Sequence, residues 1–141
     1  MSGQTHQMAY GAPITLSHAR KLAAAVVSEA ARHGWTFSIA ITDPNGDLVY
    51  LERMDDTHAA SWTIAIEKAR TAARFRRPTK VFFDLVEAGR VYITTLAPGL
   101  VAVPGGVPIV EEGKIIGAIG TSGGSGEQDE IVALSAVASL T

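Results

Sequence analysis

Cysteine is absent from this 141-residue chain. That excludes disulfides, zinc–thiolate and iron–sulfur centres, and a cysteine nucleophile. It carries no information about compartment. Aromatic residues are scarce at 6%, and charged residues make up only 18%. Twelve basic residues against fourteen acidic ones leave a net charge of -2, so the basic surplus of a general nucleic-acid binder is missing. No apolar run approaches the roughly 20 residues of a membrane span. The opening MSGQTHQMAYGAP has neither the basic start nor the apolar stretch of a targeting segment. A cytoplasmic protein with no nucleic-acid or membrane partner is the expectation. A hydrophobic content of 47% and the length support one domain with a real core. Its many small residues point to close packing of helices on a sheet, and of subunit on subunit.

Residues 1–13 are expected as a flexible arm and 14–141 as a single domain. Thr15 is an N-cap for a helix in which Leu16, Ala19, Leu22, Ala23, Val26, Val27 and Ala30 recur at helical spacing, and Gly34 is its stop. Alternation from Trp35 to Thr42, the turn Asp43–Asp47 and the run Leu48–Met54 predict a hairpin. Helices follow over about 58–76 and 80–89. Short β signals at Leu100–Val103, Val107–Val110 and Lys114–Gly120 precede a glycine-rich loop. A last helix starts at Glu127, with Ser125 and Gln128 spaced as a capping box. The fold class is α/β (α+β), a three-layer α/β/α sandwich of the profilin-like kind. Its antiparallel sheet of about five strands carries helices on both faces.

Several constellations carry chemistry. Gly120-Thr121-Ser122-Gly123-Gly124 matches G-x-S-x-G, with Ser122 as nucleophile. That layout needs a downstream histidine and none follows His58, which sets the hydrolase aside. The same loop is either a tight turn or a set of backbone amides that take a carboxylate or phosphate at Gly123–Gly126. Pro104-Gly105-Gly106-Val107-Pro108 is either a strand kink or a place where glycine lets a ligand or neighbouring subunit approach the backbone. No two histidines have the i, i+4 metal spacing. His6 lies in the arm, and His33 complements a helix dipole. His18, at N3 of the first helix, and His58, at a strand–helix junction, are each either a surface residue or a haem ligand or acid–base group. Lys68 lies on a small, apolar helix face with Ser61, Ala65 and Ala72. It neutralises an acidic ligand, acts as a base, snorkels, or makes an intersubunit ion pair. Arg53 and Asp55 end the hairpin near it. Most basic residues fall between Lys68 and Arg90, a solvated face or a field that steers an anionic ligand.

In order, ITLSHARKLAAAVVSEA, SIAITDPNGDLVYLERMDD, IAIEKARTAARFRRPT and VPGGVPIVEEGKIIGAIGTSGGSGEQDE resemble the GlcG/HbpS-like family of small haem-binding and haem-degrading-type proteins, over about residues 14–138. The resemblance implies an antiparallel sheet with helices on both sides and assembly into dimers or larger rings such as octamers. It also implies haem binding in some members, including a secreted redox-sensing type and a domain fused to cobalamin adenosyltransferases. On the haem reading, His18 or His58 is the axial ligand. Arg53, Lys68 or the Gly123–Gly126 amides take the propionates, the macrocycle lies along Val103–Val107, and Gly105, Gly106, Ser122 and Gly123 count among the cofactor-binding residues. On a second reading the protein is a cofactor-free isomerase or tautomerase acting on a small carboxylated metabolite. Lys68 or His58 then moves the proton, and Arg53 with the glycine-rich loop holds the charge. On a third, it is an accessory subunit whose glycine-rich surfaces only make interfaces.

Overall fold

The computed structural model describes residues 4–139. Helix α1 (Leu16–His33) has the caps its sequence dictates. Thr15 Oγ1 accepts the His18 amide at 3.1 Å, and Gly34 turns left-handed at φ 71°. Trp35 N donates to Ala30 O at 3.0 Å in the same closure. That amide is spent on the helix end, so strand β1 (Ser38–Thr42) starts three residues later than the alternation predicts. Asp43 Oδ1 accepts the amides of Asn45 and Asp47 and shapes the turn into β2 (Leu48–Arg53).

Helix α2 (Ser61–Phe75) stops at Arg76, and Pro78 leads into α3 (Thr79–Glu87). A 3₁₀ turn covers Val91–Thr95. Glu112 and Gly113, at φ 52° and 75°, form the turn between β3 (Gly106–Glu111) and β4 (Lys114–Ser122). The capping box before α4 (Gly126–Ser139) closes reciprocally, Gln128 N to Ser125 Oγ at 3.2 Å and Ser125 N to Gln128 Oε1 at 3.1 Å.

The sheet runs β2-β1-β4-β3, antiparallel throughout. Four strands are present among the described residues, which corrects the expected count of about five. The Leu100–Val103 segment is a loop because its polar backbone is satisfied elsewhere. Val101 N donates to Thr71 Oγ1 of α2 at 3.1 Å. Gly99 (φ 78°) and Gly105 (φ 128°) also break the extended path on either side.

The two sheet faces differ in residue size. Ile39, Ile41, Ile119 and Val107 join Leu22, Val26, Val132 and Ala136 in the main core, beneath α1 and α4. On the α2 face, Ala40 meets Ala65 and Ala69, and Ala118 meets Ala72 and Ala73. Gly106 and Gly120 are paired across β3 and β4. A Cβ on Gly120 would run into Ala65 O, and one on Gly106 into Lys68 O. Only glycine lets the α2 backbone rest on the strands this closely. Residues 4–13, the described part of the arm expected over 1–13, are tied to the domain at several points, among them hydrogen bonds of Ala9 O and Gly11 N with the Ile115 backbone and of Met8 O with the Arg76 side chain. Thr5 Oγ1 donates to Arg76 O at 2.5 Å, and Tyr10 Oη to Ala73 O at 2.6 Å.

Candidate functional site

The residues singled out from the sequence fall at opposite ends of the sheet. At the C-terminal end of β4, Lys68 projects from the small face of α2 into a buried polar network. Its Nζ lies 2.7 Å from Asp129 Oδ2 and donates to Thr121 O at 3.0 Å, with 1% of the side chain exposed. Thr121 Oγ1 donates to Asp129 O at 2.6 Å. Burial pulls the Lys68 ammonium below its usual range, opposed by Asp129. Burial likewise pushes the Asp129 carboxyl up, opposed by Lys68 and by the Gly123 and Gly124 amides.

Gly105 and the glycine-rich loop serve the same network. A Cβ on Gly105 would lie 2.7 Å from Lys68 Nζ. Gly124 N donates to Asp129 Oδ1 at 2.9 Å, and the Ser125 amide is used in the capping box. These amides therefore hold the carboxylate of Asp129 and the start of α4. Gly123 crosses close to Thr36 O. Ser122 is buried as the last residue of β4, opposite Ser38. It is part of a strand rather than the tip of a nucleophile turn.

His58 and Arg53 sit beyond this end. Both are exposed. Arg53 Nη2 donates to Thr57 O at 2.9 Å. The His58 carbonyl accepts Ser61 Oγ at 2.6 Å, and Ser61 Oγ in turn pairs with Ser38 Oγ at 2.7 Å. The backbone of His58 thus starts α2, which begins three residues later than expected.

His18 is at the other end. It is half-buried on the first turn of α1. It lines a cavity of about 300 Å³ with Leu22, Ile109–Glu112 and Val137. A second, more polar cleft of about 310 Å³ continues from it past Thr15, Ser17, Lys21 and Glu111. Glu111 and Lys114 close the β3–β4 hairpin, so His18 belongs to the start of β4 and His58 to its finish. The nine residues of β4 put those ends eight steps apart, about 26 Å at the usual rise of about 3.3 Å per residue. The two histidines cannot meet one ligand atom within a chain.

The cleft beside His18 brings together residues the sequence reading did not group. Lys21 and Leu22 follow His18 by three and four positions, which places them on the same helix face. Val137 and the β3 residues reach it only through tertiary packing. Asp129 is the other residue missed, since its acidic side chain reads from sequence as an ordinary first-turn helix residue. Among the described residues, no group of three or more His, Asp or Glu is placed to hold a metal ion by itself. No helix among them is long and apolar enough to cross a membrane.

Comparison with known proteins places this arrangement. The family described as "Haem degrading protein HbpS-like" matches residues 14–138. Protein GlcG of Escherichia coli strain K12 is 44% identical over 107 residues, which are 73% of this chain and 79% of GlcG. The crystal structure of HbpS superposes with a TM-score of 0.85 at 29% identity and covers 100% of this chain and 99% of HbpS. A PduOC:heme complex superposes with a TM-score of 0.83 at 28% identity, over 92% of this chain and 96% of PduOC. With the family match spanning nearly the whole domain and a relative this similar, the chain belongs to the HbpS-like family.

Proposed function

We propose that this protein binds haem in the cleft beside His18, with the His18 imidazole as an axial ligand, and that it does so as a small cytoplasmic protein. The observation that carries the proposal is the position of His18. It borders a cavity with an apolar wall of Leu22, Ile109, Val110 and Val137, whereas His58 is exposed on the junction ahead of α2.

The donor set fits the group. An imidazole suits haem iron, aliphatic side chains suit a macrocycle, and Lys21 with the first turn of α1 supplies positive charge for propionates, which would have to lie on that side and away from Glu111 and Glu112 at the hairpin. Haem would supply the redox and ligand-binding chemistry. The chain would hold the ring, fix one axial position and exclude water along the apolar wall. The related PduOC bound to heme and the HbpS structure support this reading. The isomerase reading has less support. Of its two candidate proton carriers, the Lys68 ammonium is engaged by Asp129 and Thr121 and sealed from solvent, and His58 is exposed ahead of α2.

A haemin titration of the purified protein, followed at the Soret band, tests the proposal. A saturable change at one haem per subunit, weakened at least several-fold in His18→Ala and unaltered in His58→Ala, is expected. Equal binding by the wild type and His18→Ala overturns it.

A further inference from the structure

His18 lines two cavities, and their walls differ. The first, of about 300 Å³, is walled by Leu22, Ile109, Val110 and Val137. The second, of about 310 Å³, is walled by Thr15, Ser17 and Lys21. Glu111 borders both, and Glu112 borders only the apolar one.

The charges divide the same way. Lys21 lines the polar cleft. The apolar cavity has no lysine or arginine among its described lining residues, and its two acidic residues are the glutamates of the β3–β4 hairpin. Lys114, paired with Glu111 across that hairpin, is not part of its wall. Glu112 and Gly113 turn left-handed, at φ 52° and 75°, so the hairpin fixes where the Glu112 backbone stands. A carboxylate entering the apolar cavity would lose water against aliphatic side chains, find no cation and meet like charge.

We propose that the two cavities read the two edges of a tetrapyrrole. The site accepts one whose carboxylates lie along a single edge and rejects one that carries them on the opposite edge as well. This rests on the haem reading of the His18 cleft and adds which tetrapyrroles the cleft takes. Lys21 attracts the carboxylated edge into the polar cleft. The aliphatic wall and Glu112 keep carboxylates out of the apolar cavity. Selectivity of this kind combines an attractive element for the right ligand with a repulsive one for the wrong ligand. Lys21 is the first and Glu112 the second.

Three iron porphyrins test this in titrations of the wild type and of Glu112→Lys. Iron mesoporphyrin keeps the two propionates of haemin and has ethyl groups in place of the vinyls. Iron coproporphyrin has two further propionates there. Iron mesoporphyrin is expected to bind like haemin, and iron coproporphyrin about tenfold more weakly or worse, since its extra carboxylates would be buried unpaired. Glu112→Lys is expected to narrow that ratio several-fold. The iron-free porphyrins, followed by their fluorescence, make no axial bond and are expected to keep the same order. Equal affinity for haemin and iron coproporphyrin, or a ratio that Glu112→Lys leaves unchanged, overturns the inference. A His18→Ala variant that binds haemin as the wild type does, with the order of the iron-free porphyrins intact, overturns the axial-ligand reading alone and supports the reading of the edges.

Discussion

Lys68 Nζ and Asp129 Oδ2 are 2.7 Å apart, although 61 positions separate them in the chain. The pair ties α2, beneath the sheet, to the first turn of α4, above its end. Both side chains are almost sealed from water. Removing one partner leaves the other charge buried without compensation, which costs about 3–5 kcal/mol. Lys68→Met is expected to lose stability on that scale in urea unfolding. Lys68→Met/Asp129→Leu is expected to recover most of it, because desolvation of both ions is then avoided.

The pH dependence of that comparison has a defined sign. Burial raises the Asp129 carboxyl from 3.8, so its contribution to stability is full below 3.8 and is lost as pH rises through the folded value. Burial lowers Lys68 from 10.5, so its contribution is full above 10.5 and is lost as pH falls through the folded value. The stability of the wild type relative to the double variant is therefore expected to be smallest in the neutral range and to grow toward both acid and alkali. Urea midpoints measured across pH check this.

Gly120 sets how close α2 comes to the sheet. A Cβ there would run into Ala65 O and lie 2.6 Å from Ala69 N. Both contacts are backbone, which cannot rotate away. Gly120→Ala is expected to lose about 1–3 kcal/mol as the helix lifts, and thermal unfolding measures the loss.

Thr42 Oγ1 is buried with no hydrogen-bond partner among the described residues. Valine has the same shape without the hydroxyl. Thr42→Val is expected to stabilise the protein by about 1 kcal/mol, since it relieves an unpaid desolvation. An unchanged or lowered urea midpoint contradicts this reading of the site.

Lys21 shares the polar cleft with His18. Lys21→Glu reverses the one lysine charge that lines that cleft among the described residues and is expected to weaken haemin binding several-fold, with the visible spectrum of the complex unchanged. Titration at low and high salt checks it, because the difference between the variants is expected to shrink as salt screens the propionates.

Local chemistry was legible in the sequence and distant chemistry was not. Thr15, Gly34 and the Ser125–Gln128 box act within four residues of their partners, and each is found where its pattern puts it. Leu100–Val103 has the composition of a strand, but the Val101 amide is taken by Thr71 from α2. No local pattern reports that competition. The small apolar face around Lys68 was visible as a helical stripe, yet the identity of Asp129 as its partner depends on how α4 returns over the sheet. The haem reading named both His18 and His58, two histidines the fold then sends to opposite ends of β4.

The most direct test of the account is the electron paramagnetic resonance spectrum of the ferric haem complex in the wild type and in His18→Ala. A histidine-ligated signal in the wild type, lost in His18→Ala and restored by added imidazole, is the expected result. A His18→Ala spectrum identical to that of the wild type before imidazole is added would contradict His18 as the ligand.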